Sequence, residues 1–489
     1  MVTMARSIRP GGTTDGADLI RAASGEDVNN LQEAVARLLE VREAEAENLN
    51  EVDDYMRGKQ RRPYQPREAS REYKELADRA VTNIMPLVIS NMAQLLYVED
   101  YLPATEGSAT EEALDARPVA WSVWQEQRMD LRQAKLYRAA LTYGISYATI
   151  TSPYGAPVIR AVSPRRMVTL YDDPVNDEWP VYALELVSAK RRTFTLYDAE
   201  NTYLVRLTGD EGSRTVEIGP GTPHRAPVCP VVRFAHNLDI EGRYVGEVEP
   251  LIPSQDRLNQ TVMDRLLVQT FGSWKIRTIS GMAQPASQEA AESLKVKMGV
   301  DRMLIADDPD TKFGSLPETQ LSGFIQAAST DQEILAALAS VPPHYLTGSL
   351  NNLGAEAIAE ARASLEAKVT ECKHAFGESV EQVLRLCAYF SGDVEGWQDY
   401  SAQVVWHDAQ NRSLSQVADA LGKISSMLAV PPQALWNRLP GVTRADTERW
   451  RAMAEDSDFT SLLREVQGGG GGDPEPIDPE TPAASDDGS

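Results

Sequence analysis

The sequence has little cysteine and no long apolar run. Its 489 residues include three cysteines, Cys229, Cys372 and Cys387, so pairing cannot be complete, and no C-x-x-C pair is present. This pattern indicates a reducing compartment and argues against structural zinc. No apolar stretch approaches the roughly 18 residues of a membrane span. The opening residues "MVTMARSIRPGGTTDG" lack the apolar core of a secretory signal, so we expect no membrane association.

Recognisable catalytic motifs are also missing. The chain has no G-x-x-x-x-G-K-[ST] phosphate loop, no G-x-S-x-G elbow and no H-E-x-x-H pair, which are the signatures of nucleotide hydrolysis, acyl transfer and zinc proteolysis. Cys372 and His374 are two residues apart, and on a helix this spacing points them away from each other. We therefore predict no enzyme, no catalytic residue, no metal site and no cofactor. An alternative is an enzyme with an unfamiliar site at His236, His407 and Asp408, although polar residues at a strand-to-helix junction more often cap the turn.

Net positive charge is absent as well, because 48 basic residues face 72 acidic ones and the formal charge is −24. Proteins that grip nucleic acid through phosphates usually present a basic surface. An acidic surface instead suits solubility, or a wall past which a polyanion must move without sticking. Two short basic clusters, Lys59–Arg62 and Lys190–Arg192, are interpreted as solvated surface or contacts to a partner.

The first half of the chain predicts helices followed by strands. Residues 1–26 lack periodicity and predict a flexible arm. A helix is expected from an N-cap at Asp27 to a closing Gly58. A second helical passage covers residues 71–96 and should be kinked or divided by Pro86. A third is expected over Trp121–Leu141. From Tyr143 to about residue 237, β-branched and aromatic residues alternate with turn residues, which predicts a sheet-rich block.

The second half predicts two helices that flank a small mixed block. Leu251, Leu258, Val262 and Leu266 form one helical stripe. Residues 273–318 predict a strand at "WKIRTI", a short helix, a strand at "RMLIAD" and a loop. The next helix should stop at Pro342–Pro343. After it, an apolar residue recurs every three or four positions over a long helix from Ala355 to Phe390. The stripe comprises Ile358, Ala361, Leu365, Val369, Cys372, Phe376, Val380, Val383, Cys387 and Phe390.

A short irregular stretch, "VPPHYLTGSLNNLGAEAIAEAR", separates the last two helices. Its prolines cannot continue helical hydrogen bonding, and Gly348 and Asn351 tolerate turns and left-handed conformations. Residues 347–353 carry no formal charge. After the long helix, a strand "AQVVW" leads into short helices, and the Gly-, Pro- and acid-rich tail from Gly468 is predicted to be disordered.

In this order of parts the sequence resembles the portal proteins of tailed double-stranded DNA bacteriophages, in the form common among long-tailed phages. The similarity runs from about Leu31 to about Asp458. It rests on "LNEVDDYMRGKQRRPY" with "NIMPLVISNMAQLLYVEDY", on "GEVEPLIPSQDRLNQTVMDRLLVQTFGSWKI", on "VPPHYLTGSLNNLGAEAIAEARASLEAKV" and on "VVWHDAQNRSLSQVADALGKI". None of these is as specific as a metal motif, but four of them stand in the family's order.

The resemblance implies an α+β, mainly helical portal fold with wing, stem, clip and crown, assembled as a ring. By analogy, the divisions are an arm at 1–26, wing at 27–246, stem helix 1 at 247–271, clip at 272–318, stem helix 2 at 319–341, wing return with tunnel loop and long helix at 342–408, crown at 409–465 and acidic tail at 466–489.

The resemblance also implies the function. Family members form a ring, generally of twelve subunits and sometimes of thirteen outside the capsid, at one capsid vertex in the virion. Double-stranded DNA is packaged and ejected through the channel. Expected partners are the terminase large subunit, a head-completion or adaptor protein, and the major capsid and scaffolding proteins, with assembly in the host cytoplasm. The alternative is another oligomeric capsid-vertex or head-morphogenesis protein without a DNA channel.

Candidate site residues follow from the same resemblance. The tunnel loop comprises Thr347, Gly348, Ser349, Leu350, Asn351, Asn352 and Leu353, and its bland alternative is an ordinary connector between helices. In the clip, we expect Trp274, Lys275 and Arg277 to meet terminase or adaptor, with Lys275 and Arg277 on one side of their strand. Basic residues at Lys59, Arg61, Arg62 and Arg265 are candidates for pairing across subunit interfaces. Twelve copies at −24 would carry −288, so ring assembly should respond to salt and divalent cations.

Overall fold

The protein is described here by a computed structural model that covers residues 30–103, 118–153, 155–209, 215–272, 277–280, 312–315, 320–348, 355–407 and 414–439, with 442, 446–447 and 449–454. Contacts divide the chain into two units, Met1–His407 and Asp408–Ser489. In the first unit the helices are α1 Leu31–Met56, α2 Arg71–Ala80, α3 Met85–Ala93, α4 Val119–Glu126, α5 Met129–Tyr143, α6 Ile252–Gly272, α7 Ser322–Leu338, α8 Pro343–Thr347, α9 Ala355–Phe390 and α10 Val394–Gln398.

The strands of the first unit form separate antiparallel sheets. They are β1 Val98–Leu102, β2 Ile145–Thr151, β3 Val158–Val162, β4 Met167–Leu170, β5 Tyr182–Ser188, β6 Thr193–Tyr197, β7 Asn201–Thr208, β8 Thr215–Ile218, β9 Thr222–Pro223, β10 Val231–Ala235, β11 Arg277–Ser280, β12 Lys312–Ser315 and β13 Gln403–Trp406. The largest sheet has the order β4-β5-β6-β7-β8, with β9 paired to β7. A second has the order β10-β2-β3, and two antiparallel two-stranded sheets pair β1 with β13 and β11 with β12. Sequential strands lie side by side in the large sheet, so it is a meander.

Helix α1 begins at a different cap from the one expected. The side chain of Asn30, not Asp27, accepts a hydrogen bond from the Glu33 amide at 2.9 Å, which satisfies one of the free amides of the first turn. At the other end the helix stops at Met56, and Gly58 takes a left-handed φ of 69°, as its position after the helix predicted. The apolar face of the first half packs on the large sheet.

Two helical passages divide where tertiary structure requires a turn. Residues 81–84 separate α2 from α3, and Pro86 lies in the first turn of α3, where its missing amide costs nothing. The predicted helix over Trp121–Leu141 is wrong as a single element, because Arg128 adopts φ 55° between α4 and α5. Arginine gives no sequence signal for a left-handed residue, so the break is invisible in the pattern.

The long helix α9 confirms its prediction at both ends, Ala355–Phe390. From Leu365 to Cys387 the predicted stripe is buried in the main core, and Phe376 is fully buried. This core also contains α2 to α5, strands β2 and β10, and the ends of α6 and α7 nearest to them.

Two predictions around the mixed block and the prolines need correction. The strand that pairs with β11 is β12, Lys312–Ser315, a stretch expected to be loop, whereas the predicted strand at 302–307 lies outside the described residues. Helix α7 ends at Leu338, before the prolines, and Ser340 takes φ 56°. Pro342 and Pro343 instead cap and begin α8, because proline's fixed φ suits the first helical turn.

In the second unit, α11 spans Leu414–Leu428 and a short 3-10 helix spans Pro432–Arg438. Both agree with the short helices predicted after the last strand. The arm at 1–26 and the tail from Gly468 lie outside the described residues.

Candidate functional site

Helices α6 and α7 pack against each other as a pair, in the place where the two stem helices were predicted. Asp331 of α7 is buried and bridges to α6: it accepts from Arg257 Nε at 2.8 Å and from the Thr261 hydroxyl at 2.6 Å. Charge-assisted hydrogen bonds of this kind fix relative position as well as adding energy. The pair therefore has a defined register.

The other side of α6 is held by the N-terminal part of the chain. Tyr55 donates its hydroxyl to Asp256 at 2.6 Å, and the Tyr64 amide donates to Gln260 Oε1 at 3.0 Å. Burial and the hydrogen bond to Asp256 raise the pKa of Tyr55, so its hydroxyl keeps its proton. One turn away on α6, Asn259 accepts from the Thr82 amide at 2.9 Å.

These contacts continue an alignment that starts earlier in α1. Tyr244 donates its hydroxyl to Glu45, and Asn48 donates to Glu249 at 3.0 Å. Together with Tyr55 and Asp256, the contacts keep a nearly constant offset of 199 to 201 residues. The second half of α1 therefore runs parallel to the segment that enters α6.

A cluster of polar groups lies where the helical pair joins the core. It comprises the buried His236, Glu247 and Cys372 and the partly buried Lys368, and we call it the foot cluster. Glu247 Oε1 lies 2.7 Å from His236 Nε2, and Glu247 Oε2 accepts from Lys368 Nζ at 2.5 Å. Lys368 Nζ also lies 3.4 Å from the carbonyl oxygen of Ala339, just after α7. One lysine of α9 thus contacts the chain at both ends of the helical pair nearest the core.

Backbone geometry brings Glu247 into this position. Gly246 lies so close to α5 that a Cβ there would come within 2.7 Å of the Gly144 nitrogen, so only glycine fits. The next amide, of Glu247, donates to the Leu141 carbonyl at 2.7 Å. The loop before α6 is therefore fastened to the end of α5.

The foot cluster resembles a catalytic Cys–His–Glu arrangement in outline, since Cys372 Sγ lies 3.6 Å from His236 Nδ1. Burial, with the nearby Glu247 charge, raises the pKa of Cys372 to about 12, so the thiol stays protonated at neutral pH and is a poor nucleophile. Burial alone would raise the pKa of Glu247, but the hydrogen bond from His236 and the Lys368 charge hold it below its usual value. The cluster is thus a set of structural ionic contacts.

The predicted tunnel loop is described only at its start. Thr347 is the last residue of α8, and its hydroxyl donates to the Pro343 carbonyl at 3.1 Å. Gly348 takes φ 69° and is exposed, with no atom within 4 Å of the position of a Cβ. Ser349, Leu350, Asn351, Asn352 and Leu353 lie outside the described residues. Of the clip residues, Trp274 and Lys275 also lie outside them, and Arg277 begins β11 opposite Ser315.

Residues 36–458 match the protein family described as "Phage portal protein, SPP1 Gp6-like". This range is most of the chain. The chain belongs to this phage portal family. Membership makes it a structural protein of bacteriophage virions and confirms the resemblance found in the sequence.

Curated relatives agree with this assignment. The portal chain is 25% identical over 386 residues to a protein named "Portal protein" from Mycobacterium phage D29, covering 74% of this chain and 78% of the relative. It is 25% identical over 350 residues to the "Portal protein" of Mycobacterium phage L5, covering 67% of this chain and 71% of the relative.

Solved structures similar to the portal chain include a chain of the "Virion of native gene transfer agent (GTA) particle", with TM-score 0.43 and 15% identity, covering 78% of this chain and 99% of that one. A chain of the "Neck of empty GTA particle" has TM-score 0.39 and 14% identity, covering 76% of this chain and 96% of that one.

The two described residues of the alternative enzyme site have different partners. His236 belongs to the foot cluster, whereas His407 is half-exposed and lies 3.2 Å from Glu99; Asp408 is outside the described residues. Across the described ranges, no three His, Cys, Asp or Glu side chains are placed to hold a metal ion. None of the helices in those ranges combines the length and apolar character needed to cross a bilayer.

Two of the basic residues expected at subunit interfaces have partners in their own chain. Arg61 lies 2.6 Å from Glu51, and Arg62 lies 2.7 Å from Asp78. Lys59 is exposed, and Arg265 is partly buried within α6.

Glu247 and Lys368 were not among the residues predicted from the sequence. One signal existed: Lys368 lies among Leu365, Val369 and Cys372 on the apolar stripe, where a lysine requires a buried partner or a route to solvent.

Proposed function

We propose that the chain forms a closed ring, of twelve copies in the virion, at one capsid vertex, and that double-stranded DNA enters and leaves the capsid through its central channel. The observation that carries this proposal is the match to the phage portal family over residues 36–458. We also propose that each copy is divided into the wing, stem, clip and crown of a portal protein.

In this proposal, α6 and α7 are the stem, the block between them is the clip, and the segment after Gly348 is the tunnel loop. The well-defined register of α6 and α7, with Asp331 bridging to Arg257, supports a stem that keeps its shape while DNA moves past. The clip, with Trp274, Lys275 and Arg277, would dock the terminase large subunit during packaging and a head-completion or adaptor protein afterwards. The major capsid and scaffolding proteins would surround the ring.

The net negative charge of the chain favours a channel through which DNA moves over one that binds DNA tightly. Each phosphate that a protein neutralises releases counterions and strengthens binding, which would hold a duplex in place. A chain of formal charge −24 presents few such contacts to the DNA. The uncharged residues 347–353 could approach the duplex by shape and by weak hydrogen bonds.

Mass and shape test the ring directly. We expect light scattering of the purified chain to give a mass many times 53.8 kDa, and electron micrographs to show a ring with a hole wide enough for duplex DNA. A monomer would contradict the proposal. A closed oligomer without a hole would favour a vertex protein that conducts no DNA.

A charge change in the tunnel loop tests its role. The variant Asn351→Asp/Asn352→Asp adds two negative charges where we place the duplex, so DNA packaging should fall by about tenfold or more while rings still form. The control Asn351→Ala/Asn352→Ala removes the same amides without adding charge and should package more DNA than the aspartate variant. Equal packaging in both variants, or normal packaging with aspartate, would contradict a loop that faces DNA.

A further inference from the structure

One segment of the chain reverses the overall charge. Residues 57–67, "RGKQRRPYQPR", contain five basic residues and no acidic one, in a chain of net charge −24. We call this segment the basic connector; it joins α1 to α2. Gln60 and Pro63 of the connector are buried, whereas Lys59, Tyr64 and Arg67 are exposed.

The basic connector is fixed in place, although it has no regular secondary structure. The Tyr64 amide donates to Gln260 of α6 at 3.0 Å, and Arg61 and Arg62 pair with Glu51 and Asp78. The Tyr64 ring itself is 74% exposed. Arg57 also pairs with its own chain, at Asp53, so Lys59 and Arg67 are the exposed basic residues that remain on either side of Tyr64. Tyrosine is enriched among the residues that dominate protein interfaces.

Helix α7 carries the complementary features. Residues 322–338 include Asp331 and Glu333 and no basic residue. Asp331 is buried against Arg257 and Thr261 of α6, but Glu333 is exposed. Next to it, Ile334 and Leu338 lie one turn apart and are 40% and 57% exposed. An apolar pair beside a carboxylate is what an aromatic ring flanked by cations would fit.

The two surfaces lie on different sides of α6. The N-terminal contacts use Gln255, Asp256, Asn259 and Gln260, whereas α7 contacts Arg257 and Thr261. At 3.6 residues per turn, the mean directions of these two sets differ by roughly 150°. The N-terminal part of the chain and α7 therefore contact different sides of α6. Gln260, which accepts from the Tyr64 amide of the basic connector, lies roughly 80° around the helix from the mean direction of the α7 contacts.

We propose that the basic connector of one copy docks on the exposed face of α7 of the next copy, with Tyr64 against Ile334 and Leu338 and with Lys59 and Arg67 near Glu333. A contact between two different, complementary surfaces is a head-to-tail contact, and such contacts close into rings when the rotation allows. The docking rests on the proposed ring and names residues that would join its neighbours.

The proposed contact would offset electrostatic repulsion between the copies of the ring. Copies that each carry −24 repel one another, but salt reduces the repulsion beyond about 8 Å at physiological ionic strength. A local contact of Lys59 and Arg67 with Glu333 is screened less and offsets part of the repulsion at the interface.

Cross-linking between copies tests the contact. The variant Tyr64→Cys/Leu338→Cys, treated with a short bismaleimide, should give a ladder of covalent multimers on a denaturing gel. The native cysteines are at most 2% exposed, so background should be low. Each single-cysteine variant should remain a monomer on the gel. So should the control Arg191→Cys/Leu338→Cys, because Arg191 lies exposed at the β5–β6 turn.

Charge reversal provides a second measurement, since it needs no new cysteine. In Lys59→Glu/Arg67→Glu, the protein concentration at which half of the chains are in rings should rise about tenfold or more, because like charges would face each other. Adding Glu333→Lys should reverse part of this rise. The control Lys190→Glu/Arg191→Glu makes the same charge change on the hairpin and should assemble normally.

The outcomes separate the two proposals. A monomeric wild-type chain overturns both the ring and the docking. An intact ring that gives no ladder, or that cross-links as well through Arg191→Cys, overturns the docking alone. Charge reversal that affects the connector and the hairpin variants equally also overturns it.

Discussion

Two regions of the molecule are stabilised in contrasting ways. Where α1 packs on the large sheet, the core is apolar throughout, with Val35, Leu38, Leu184, Leu196 and Val205 among its members. Where the helical pair joins the body, ionic and amide groups are buried. Apolar packing tolerates small shifts, whereas buried polar groups require particular partners in particular positions. The sheet region thus provides stability, and the foot cluster provides a fixed orientation for α6 and α7.

The largest expected effect comes from breaking the foot cluster. Glu247→Ala would leave the partly buried Lys368 and the buried His236 without their shared carboxylate, and should lower the free energy of unfolding by about 3 kcal/mol or more. Urea denaturation followed by circular dichroism measures this change. In the variant Glu247→Gln/Lys368→Met no unpaired lysine charge remains, so it should cost less than Glu247→Ala. If it costs more, the ionic pair is not the reason for the loss.

A matched truncation in the sheet should behave differently. Leu196 is fully buried, and Leu196→Ala should lower the free energy of unfolding by about 3 kcal/mol through lost burial and a cavity. We expect the packing of α6 and α7 to be unaffected, so hydrogen exchange of α6 amides should match the wild type. In Glu247→Ala, those amides should exchange faster. Faster exchange in both variants would remove the contrast between the two regions.

A smaller effect concerns Glu45, which lies on α1 between the two regions. Burial raises the pKa of Glu45 to about 7, against a lowering by the Tyr244 hydrogen bond. A raised folded pKa means that its contribution is present below pH 4.5 and is lost as pH rises through about 7. Glu45→Gln should therefore be more stable than wild type at pH 8, by about 1–3 kcal/mol, and similar to it at pH 4.5.

Glu247 should show the opposite dependence, because its folded pKa is lowered. Its contribution is present above about pH 4.5 and is lost as pH falls through the lowered value. Comparing wild type with Glu45→Gln and Glu247→Gln from pH 3 to pH 8 separates the two carboxylates. A Glu45→Gln variant with the same pH profile as wild type would contradict the raised pKa.

What the sequence could predict depended on whether the signal was local. The stripe from Leu365 to Cys387 repeats at helical spacing, so α9 could be placed at both ends. Periodicity also placed α6 and α7 and the start and end of the sheet block. The break at Arg128 had no local signal, and the four residues of β12 are too short to show alternation.

The foot cluster was beyond local reasoning for a different reason. His236, Glu247 and Lys368 come from three separate parts of the chain, and only the fold brings them together. Their residue types at these spacings match no motif. The portal family could be recognised because the order of elements survives even where individual residues do not indicate their role.

The parallel alignment of α1 with the segment entering α6 has a consequence for synthesis of the protein. Glu45 and its partner Tyr244 are separated by 199 residues, which takes a ribosome about 10–40 s at roughly 5–20 residues per second. During that time the polar side of α1 has no partner from this segment, and the basic connector has no α6 to rest on. The surface that we assign to the neighbouring copy is therefore completed only after more than half of the chain has been made, which would delay association of unfinished chains on the same messenger.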